Sequence, residues 1–222
     1  MQLNHIGKRK CEEDEKQFAL GLYYKSPKAY KFLLNYFNLP CLTNIYKWVN
    51  SINLRPGVNV DFLEQLKIKL KSKNNYEKLS VLMWDEMSIK KGLSYNTKLD
   101  LLEGFQDMSD EFGGRNSEIV SSVLVFMIGG LMGDWKQPFM YLPTAGSVPG
   151  SELSKIIKRV VERALDVGFD IRHMVCDQLT SNRKAVGELG VTLENPFIYV
   201  DKKKLPSAMM FLTLSNVFGM FC

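Results

Sequence analysis

Two periodicities divide the chain. Through residue 76 the apolar positions recur at helical spacing, and from residue 78 they fall in short continuous or alternating runs. "EEDEKQFALGLYY" places acidic residues ahead of an apolar stretch, the order a helix dipole favours at its start. "SPKAYKFLLNYF" follows, with Ser26 as N-cap, Pro27 at the first helical position, and Tyr30, Leu33, Leu34 and Phe37 at helical spacing. "NLPC" breaks this helix, Thr43 is expected to cap "NIYKWVNSI", and "RPG" ends that one. A fourth helix is predicted in "NVDFLEQLKIKLKS", with Phe62, Leu63, Leu66 and Leu70 on one face and Lys67, Lys69, Lys71 and Lys73 along its second half. Two short helices around a tight turn suit a helix-turn-helix, and equally a small all-α bundle.

The second part reads as strands before helices. "LSVLMW" is a strand, "GLSYNTKLDLLEGF" two short strands around Asn96-Thr97, and "EIVSSVLVFMIGGLMGDW" one long strand or two shorter ones. "KQPFMYLPTAG" is a strand and loop. "SELSKIIKRVVERALDVG" predicts a helix capped by Ser151 and closed by Gly168, with Leu153, Ile156, Ile157, Val160 and Ala164 on one face. "DIRHMVCD" is a further strand and "SNRKAVGELG" a further helix. Strands, helix, strand, helix define an α/β fold, with hairpins first and a crossover to a parallel strand later. The expected organisation is a helical segment over 12–76, an α/β core over 77–195 and a divergent apolar tail over 196–222.

Charge sharpens this division. The net charge is +5, but residues 1–76 hold 13 Lys/Arg against 6 Asp/Glu, whereas residues 77–222 hold 16 against 18. A positive excess confined to the first third points to a polyanionic partner there, nucleic acid ahead of a membrane surface. Lys28, Lys31, Lys47, Lys67, Lys69, Lys71 and Lys73 are the expected DNA contacts. A solvated lysine-rich face would carry the same charge.

Several function classes lack their residues. Four scattered cysteines and two histidines, His5 and His173, supply no spaced zinc set, and reduced thiols in an intracellular protein are expected. The first residues have no apolar core of a signal peptide, and no run reaches the roughly 18 apolar residues of a membrane span. No G-x-x-x-x-G-K-[ST] loop is present to cradle a nucleotide phosphate. His173, at an alternating strand position, is expected to be packed or exposed rather than catalytic. The eleven methionines read as core filling, and the apolar 206–222 segment as an aggregation liability.

Two carboxylates stand out. Asp85 closes the run "VLMW", and Asp177 closes "DIRHMVC". Ionised carboxylates at the ends of buried strands need a partner, a cation or solvent. If the two strands are sheet neighbours, the pair meets at one edge, where oxygen ligands suit a hard cation such as Mg2+ or Mn2+. Read singly, Asp85 suits an exposed strand end and Asp177 an N-cap of the following helix. Glu86 should point to the opposite face from Asp85 and is the weaker ligand.

"VLMWDEMSIKKGLSYN", "GF" and "CDQLTSNRKAVGELGV", in this order, resemble P-element-type transposases, including the THAP-domain-containing transposases and their domesticated relatives. The resemblance spans residues 17–195, and "YYKSPKAYKFLLNYFNLPCLTNIYKWV" is similar to the helix-turn-helix segment ahead of the family's core. It implies a ribonuclease-H-like mixed sheet in which Asp85 and Asp177 are the first two catalytic, metal-binding acidic residues. The family's zinc-binding THAP module, its nucleotide-binding insertion and its third acidic residue have no counterpart here, and neither Glu194 nor Asp201 sits in a motif for that third role. The expectation is therefore a nuclear, transposase-derived DNA-binding protein whose core is incomplete and inactive alone. The alternatives are a Mg2+-dependent transposase or nuclease completed by a partner chain, and an interaction protein that forms homo-oligomers or inhibits a full-length transposase by hetero-oligomerisation.

Overall fold

The structure is a computed structural model, and it describes residues 12–50, 55–97, 99–192, 194–200 and 203–209. The chain divides into two compact units, Met1–Leu54 and Arg55–Cys222. The expected roles of the first eleven residues and of 210–222 lie outside the described residues.

The first unit holds three helices: α1 (Glu13–Lys25), α2 (Pro27–Leu33) and α3 (Leu42–Val49). Glu12 and Glu15 close a capping box at the start of α1, and Ser26 Oγ accepts a hydrogen bond from the Ala29 amide to cap α2. Ala19, Tyr30 and Ile45, one from each helix, are wholly buried at the centre. Tyr30 can be buried because its hydroxyl donates to the Pro40 carbonyl at 2.6 Å. The helix start differs from expectation: α3 is capped by Cys41, not Thr43. Starting the helix at Leu42 lets that side chain pack on the buried cluster, while Thr43 stays exposed. The link between α2 and α3 is also longer than a tight turn, because residues 34–37 continue in hydrogen-bonded turns and Leu39 must reach the same cluster.

The second unit begins with α4 (Val60–Lys71), capped by the Asn59 side chain. A hairpin-rich stretch follows: β1 (Leu79–Ser88), β2 (Ser94–Asn96), β3 (Leu101–Glu103), β4 (Phe105–Asp107), a 3-10 turn (Asp110–Phe112), β5 (Arg115–Ile119), β6 (Ser122–Gly130) and β7 (Lys136–Thr144). Then come α5 (Gly150–Val167), β8 (Asp170–Cys176), α6 (Thr180–Glu188), β9 (Phe197–Val200) and β10 (Lys203–Met209). The main sheet is mixed, with order β7-β6-β1-β8-β10-β9; β2-β3 and β4-β5 form separate two-stranded ladders. β6 runs antiparallel to β1 and β7 antiparallel to β6, whereas β8 is parallel to β1 and β10 parallel to β8. The amphipathic α5 supplies the crossover, burying Leu153, Ile156, Ile157, Val160, Val161 and Ala164 in the core.

Three expectations are corrected. The apolar face of α4 belongs to the core of this second unit, where Leu66 and Leu70 are buried and Phe62 and Leu63 pack against it, so the boundary drawn at residue 76 moves to 54/55. Residues 197–200 and 203–209 are sheet strands, not a divergent tail. α5 is capped at Pro149 rather than Ser151, its carbonyl accepting the Glu152 and Leu153 amides. That places Gly150 against α6, where an added Cβ would lie 2.7 Å from the Lys184 Cβ and 2.9 Å from the Ser181 carbonyl oxygen.

Leu66→Ala should destabilise the second unit by about 2–4 kcal/mol, the cost of a cavity in a packed core. Urea unfolding of the full chain followed by site-resolved hydrogen exchange is the check: the α/β unit should lose protection while the Tyr30 cluster keeps its own.

Candidate functional site

The site is built where two adjacent strands stop pairing. Asp85 does not close β1 as expected but lies within it, paired with Val125 of β6, because the strand continues along β6 to Ser88. Asp177, by contrast, directly follows the end of β8. β1 and β8 pair in parallel, with Ser80 opposite Ile171 but Val81 opposite His173, so one residue, Arg172, bulges out of the ladder. Arg172 turns to solvent and its guanidinium holds the Asp170 carboxylate at 2.6 Å. Past the bulge Leu82 faces Met174 and Met83 faces Val175. Continued by two residues, that register brings Asp85 level with Asp177; without the bulge, Asp85 would be level with the buried Cys176. Both aspartates are half-buried.

Cys176 records their joint field. Its thiol is pushed up to about 12, first by burial, then by the Asp177 and Asp85 carboxylates, each of which disfavours a thiolate. Asp85 Oδ1 accepts from the Glu86 amide at 2.7 Å. Asp177 Oδ1 accepts from the Leu179 amide at 3.1 Å and from the Asn182 side-chain amide at 2.5 Å. Asp177 therefore does not cap α6, whose N-cap is Leu179; it closes the turn that leads into the helix. Both bonds fall on one oxygen, which leaves Oδ2 as the atom for a cation. Glu86 lies on the other pleat, as expected, and its Oε1 accepts from the Val148 amide at 2.8 Å, anchoring the loop ahead of α5. His173 is exposed on β8.

Asn182, which the sequence reading did not single out, is buried at the junction. Its Nδ2 donates to Asp177 and its Oδ1 accepts from the Trp84 indole at 2.9 Å. Among the described residues no group of three His, Cys, Asp or Glu side chains is gathered as a metal cluster. Two hard carboxylate oxygen donors, one within β1 and one just beyond β8, fit a Mg2+ or Mn2+ ion, with the remaining coordination left to water or a phosphate.

The seven candidate DNA-binding lysines are not brought into one unit. Lys28, Lys31 and Lys47 are exposed on α2 and α3 of the first. Lys67, Lys69 and Lys71 are exposed on α4 of the second, and Lys73 just beyond it pairs with Glu77 at 2.6 Å.

The family described as TNP-like, RNase H N-terminal domain, matches residues 54–190. The chain belongs to this family. Its TNP-like region begins one residue before the second unit and includes α4, in agreement with the packing of Leu66 and Leu70. Residues 2–48 match a second family, the transposable element P transposase-like HTH domain. Among curated proteins, this TNP-like chain is 25% identical over 183 residues to the transposable element P transposase of Drosophila melanogaster, covering 81% of the chain and 21% of that protein. It is 21% identical over 180 residues to the human DNA transposase THAP9, covering 81% of the chain and 20% of the relative. The chain thus spans about a fifth of the length of these curated relatives. Among solved structures, the Drosophila P element transposase strand transfer complex superposes with a TM-score of 0.68 at 22% identity, over 91% of this chain and 42% of that one. The shared fold is the mixed ribonuclease-H-like sheet preceded by helices.

Burial and the raised thiol pKa make Cys176 inert in the folded protein, while Cys41 is exposed. Iodoacetamide at pH 8 should modify Cys41 and spare Cys176 until denaturant is added, as read by peptide mass spectrometry.

Proposed function

We propose that this chain is a transposase-derived DNA-binding protein of the P-element type, whose helix-turn-helix unit holds DNA and whose α/β unit offers a divalent cation two carboxylates, Asp85 and Asp177. The observation that carries the reading is the parallel register of β1 and β8, shifted by the bulge at Arg172, which levels Asp85 with Asp177 when continued two residues past Met83 and Val175. The electrostatic influence of both carboxylates on Cys176 supports it. Transposases among the relatives support it, as does the likeness to a strand transfer complex.

The chain's own residues prepare the site. Hydrogen bonds from the Leu179 amide and Asn182 fix Asp177, and the β-ladder fixes Asp85, so neither carboxylate must be ordered when an ion binds. A bound Mg2+ or Mn2+ supplies Lewis-acid stabilisation of charge on a phosphodiester. On α2 and α3, Lys28, Lys31 and Lys47 neutralise phosphates and position the duplex. The nucleus is the compartment in which such a protein meets its DNA.

Two carboxylates hold one ion loosely and do not clamp two, so the described residues bind an ion without cleaving strands efficiently. A third ligand from a partner chain, in a homo-oligomer or with a full-length transposase, would complete an active site. Nicking of supercoiled plasmid only when that partner is added supports this second reading, and absence of nicking with it rejects it.

Two measurements test the main proposal. Mn2+ titration of the full chain should show affinity that falls about tenfold or more in Asp85→Asn and in Asp177→Asn, the loss expected when one of two charged ligands is neutralised; equal affinity in all three proteins rejects the ion site. Duplex binding should weaken with salt, and replacing Lys28, Lys31 and Lys47 together by Ala should make the negative slope of log K against log salt shallower by roughly 3. A slope that ignores these substitutions rejects the first unit as the DNA-holding part.

A further inference from the structure

Asn182 is 4% exposed and spends both ends of its amide on partners that fix its orientation. The Trp84 indole N–H only donates, so the atom facing it at 2.9 Å is the amide oxygen. The Asp177 carboxylate accepts, so the atom facing it at 2.5 Å is the amide nitrogen. Trp84 is itself immobilised, 3% exposed and stacked on Phe126 with ring centroids 6.0 Å apart. The result is a line of hydrogen bonds from a rigid indole on β1, through α6, to the carboxylate beyond β8. Trp84 also directly precedes Asp85, so the line joins the two stretches of chain that carry the aspartates.

We propose that Asn182 is a positioning residue for the divalent-ion site, held in its working sense by Trp84. An amide free to rotate would at times turn its oxygen towards Asp177 and repel it. The indole donor removes that state, keeps Nδ2 on Oδ1 of Asp177 and leaves Oδ2 for the ion. Such supporting partners typically govern affinity by about tenfold or more. The inference rests on the reading of Asp85 and Asp177 as an ion site, and its test separates the two.

The Mn2+ affinity of the full chain, read at neutral pH from the free-ion electron paramagnetic resonance signal, is expected to fall about tenfold in Asn182→Leu. It should also fall in Trp84→Phe, which keeps Asn182 but frees its amide. Because the two side chains act in series, the double variant should bind no more weakly than Asn182→Leu alone. Unchanged affinity in both single variants, or losses that simply multiply in the double, overturns the proposal. Thermal unfolding identifies any variant that does not fold; should Asn182→Leu be one, Trp84→Phe decides the question. A metal-free arm reads the line directly: Asp177→Ala should shift the Trp84 indole N–H resonance, and an unmoved resonance overturns the relay whether or not an ion binds. An unmutated chain with no Mn2+ affinity overturns the ion site itself.

Discussion

The parallel pairing of β1 with β8 is the constraint on which the rest of the second unit depends. These strands are far apart in sequence and are joined only because α5 carries the chain back over the sheet. Its buried face supplies the driving force, with each fully buried aliphatic side chain contributing about 1.5–3 kcal/mol. Burial fixes which residues face inward, and a slip of one position would send the inward set to the wrong side. The bulge at Arg172 is such a slip, made once and in a useful direction. It lets Leu82 and Met174 share the core, and, continued two residues further, the same register levels Asp85 with Asp177.

Much of this architecture is legible in the residues. Both aspartates announce themselves because each ends an apolar run, and α5 because its apolar stripe is unbroken. The helix α4 was harder to place. Its lysines suggested kinship with the basic helices before it, but periodicity states only that a face will be buried, not against what. β10 was hidden for a different reason. "KKLPSAM" contains a proline, which argues against an interior strand. In the fold β10 divides its bonding: Lys203–Pro206 pairs with β9, and only Ser207–Met209, beyond the proline, pairs with β8.

Asn182 was not legible at all. It sits among polar residues at the start of a short helix, where an asparagine ordinarily meets water. Its burial follows from Trp84, almost a hundred positions earlier, and local pattern carries no trace of that meeting. The lysines show the opposite limit. Their charge could be counted, but their division between two units follows from where α4 packs, so the basic character of the first 76 residues is shared between two units.

The split loyalty of β10 also bears on the order of assembly during translation. β8 lies in the interior of the finished sheet, yet among the described residues one of its edges is closed only by 207–209. Until the ribosome has delivered them, a nascent chain with β1, β6, β7 and β8 already in place still offers a bare line of amides and carbonyls next to Asp177. Such an edge invites strands from other chains. The period between making β8 and making β10 is therefore one in which this fold is exposed to mispairing.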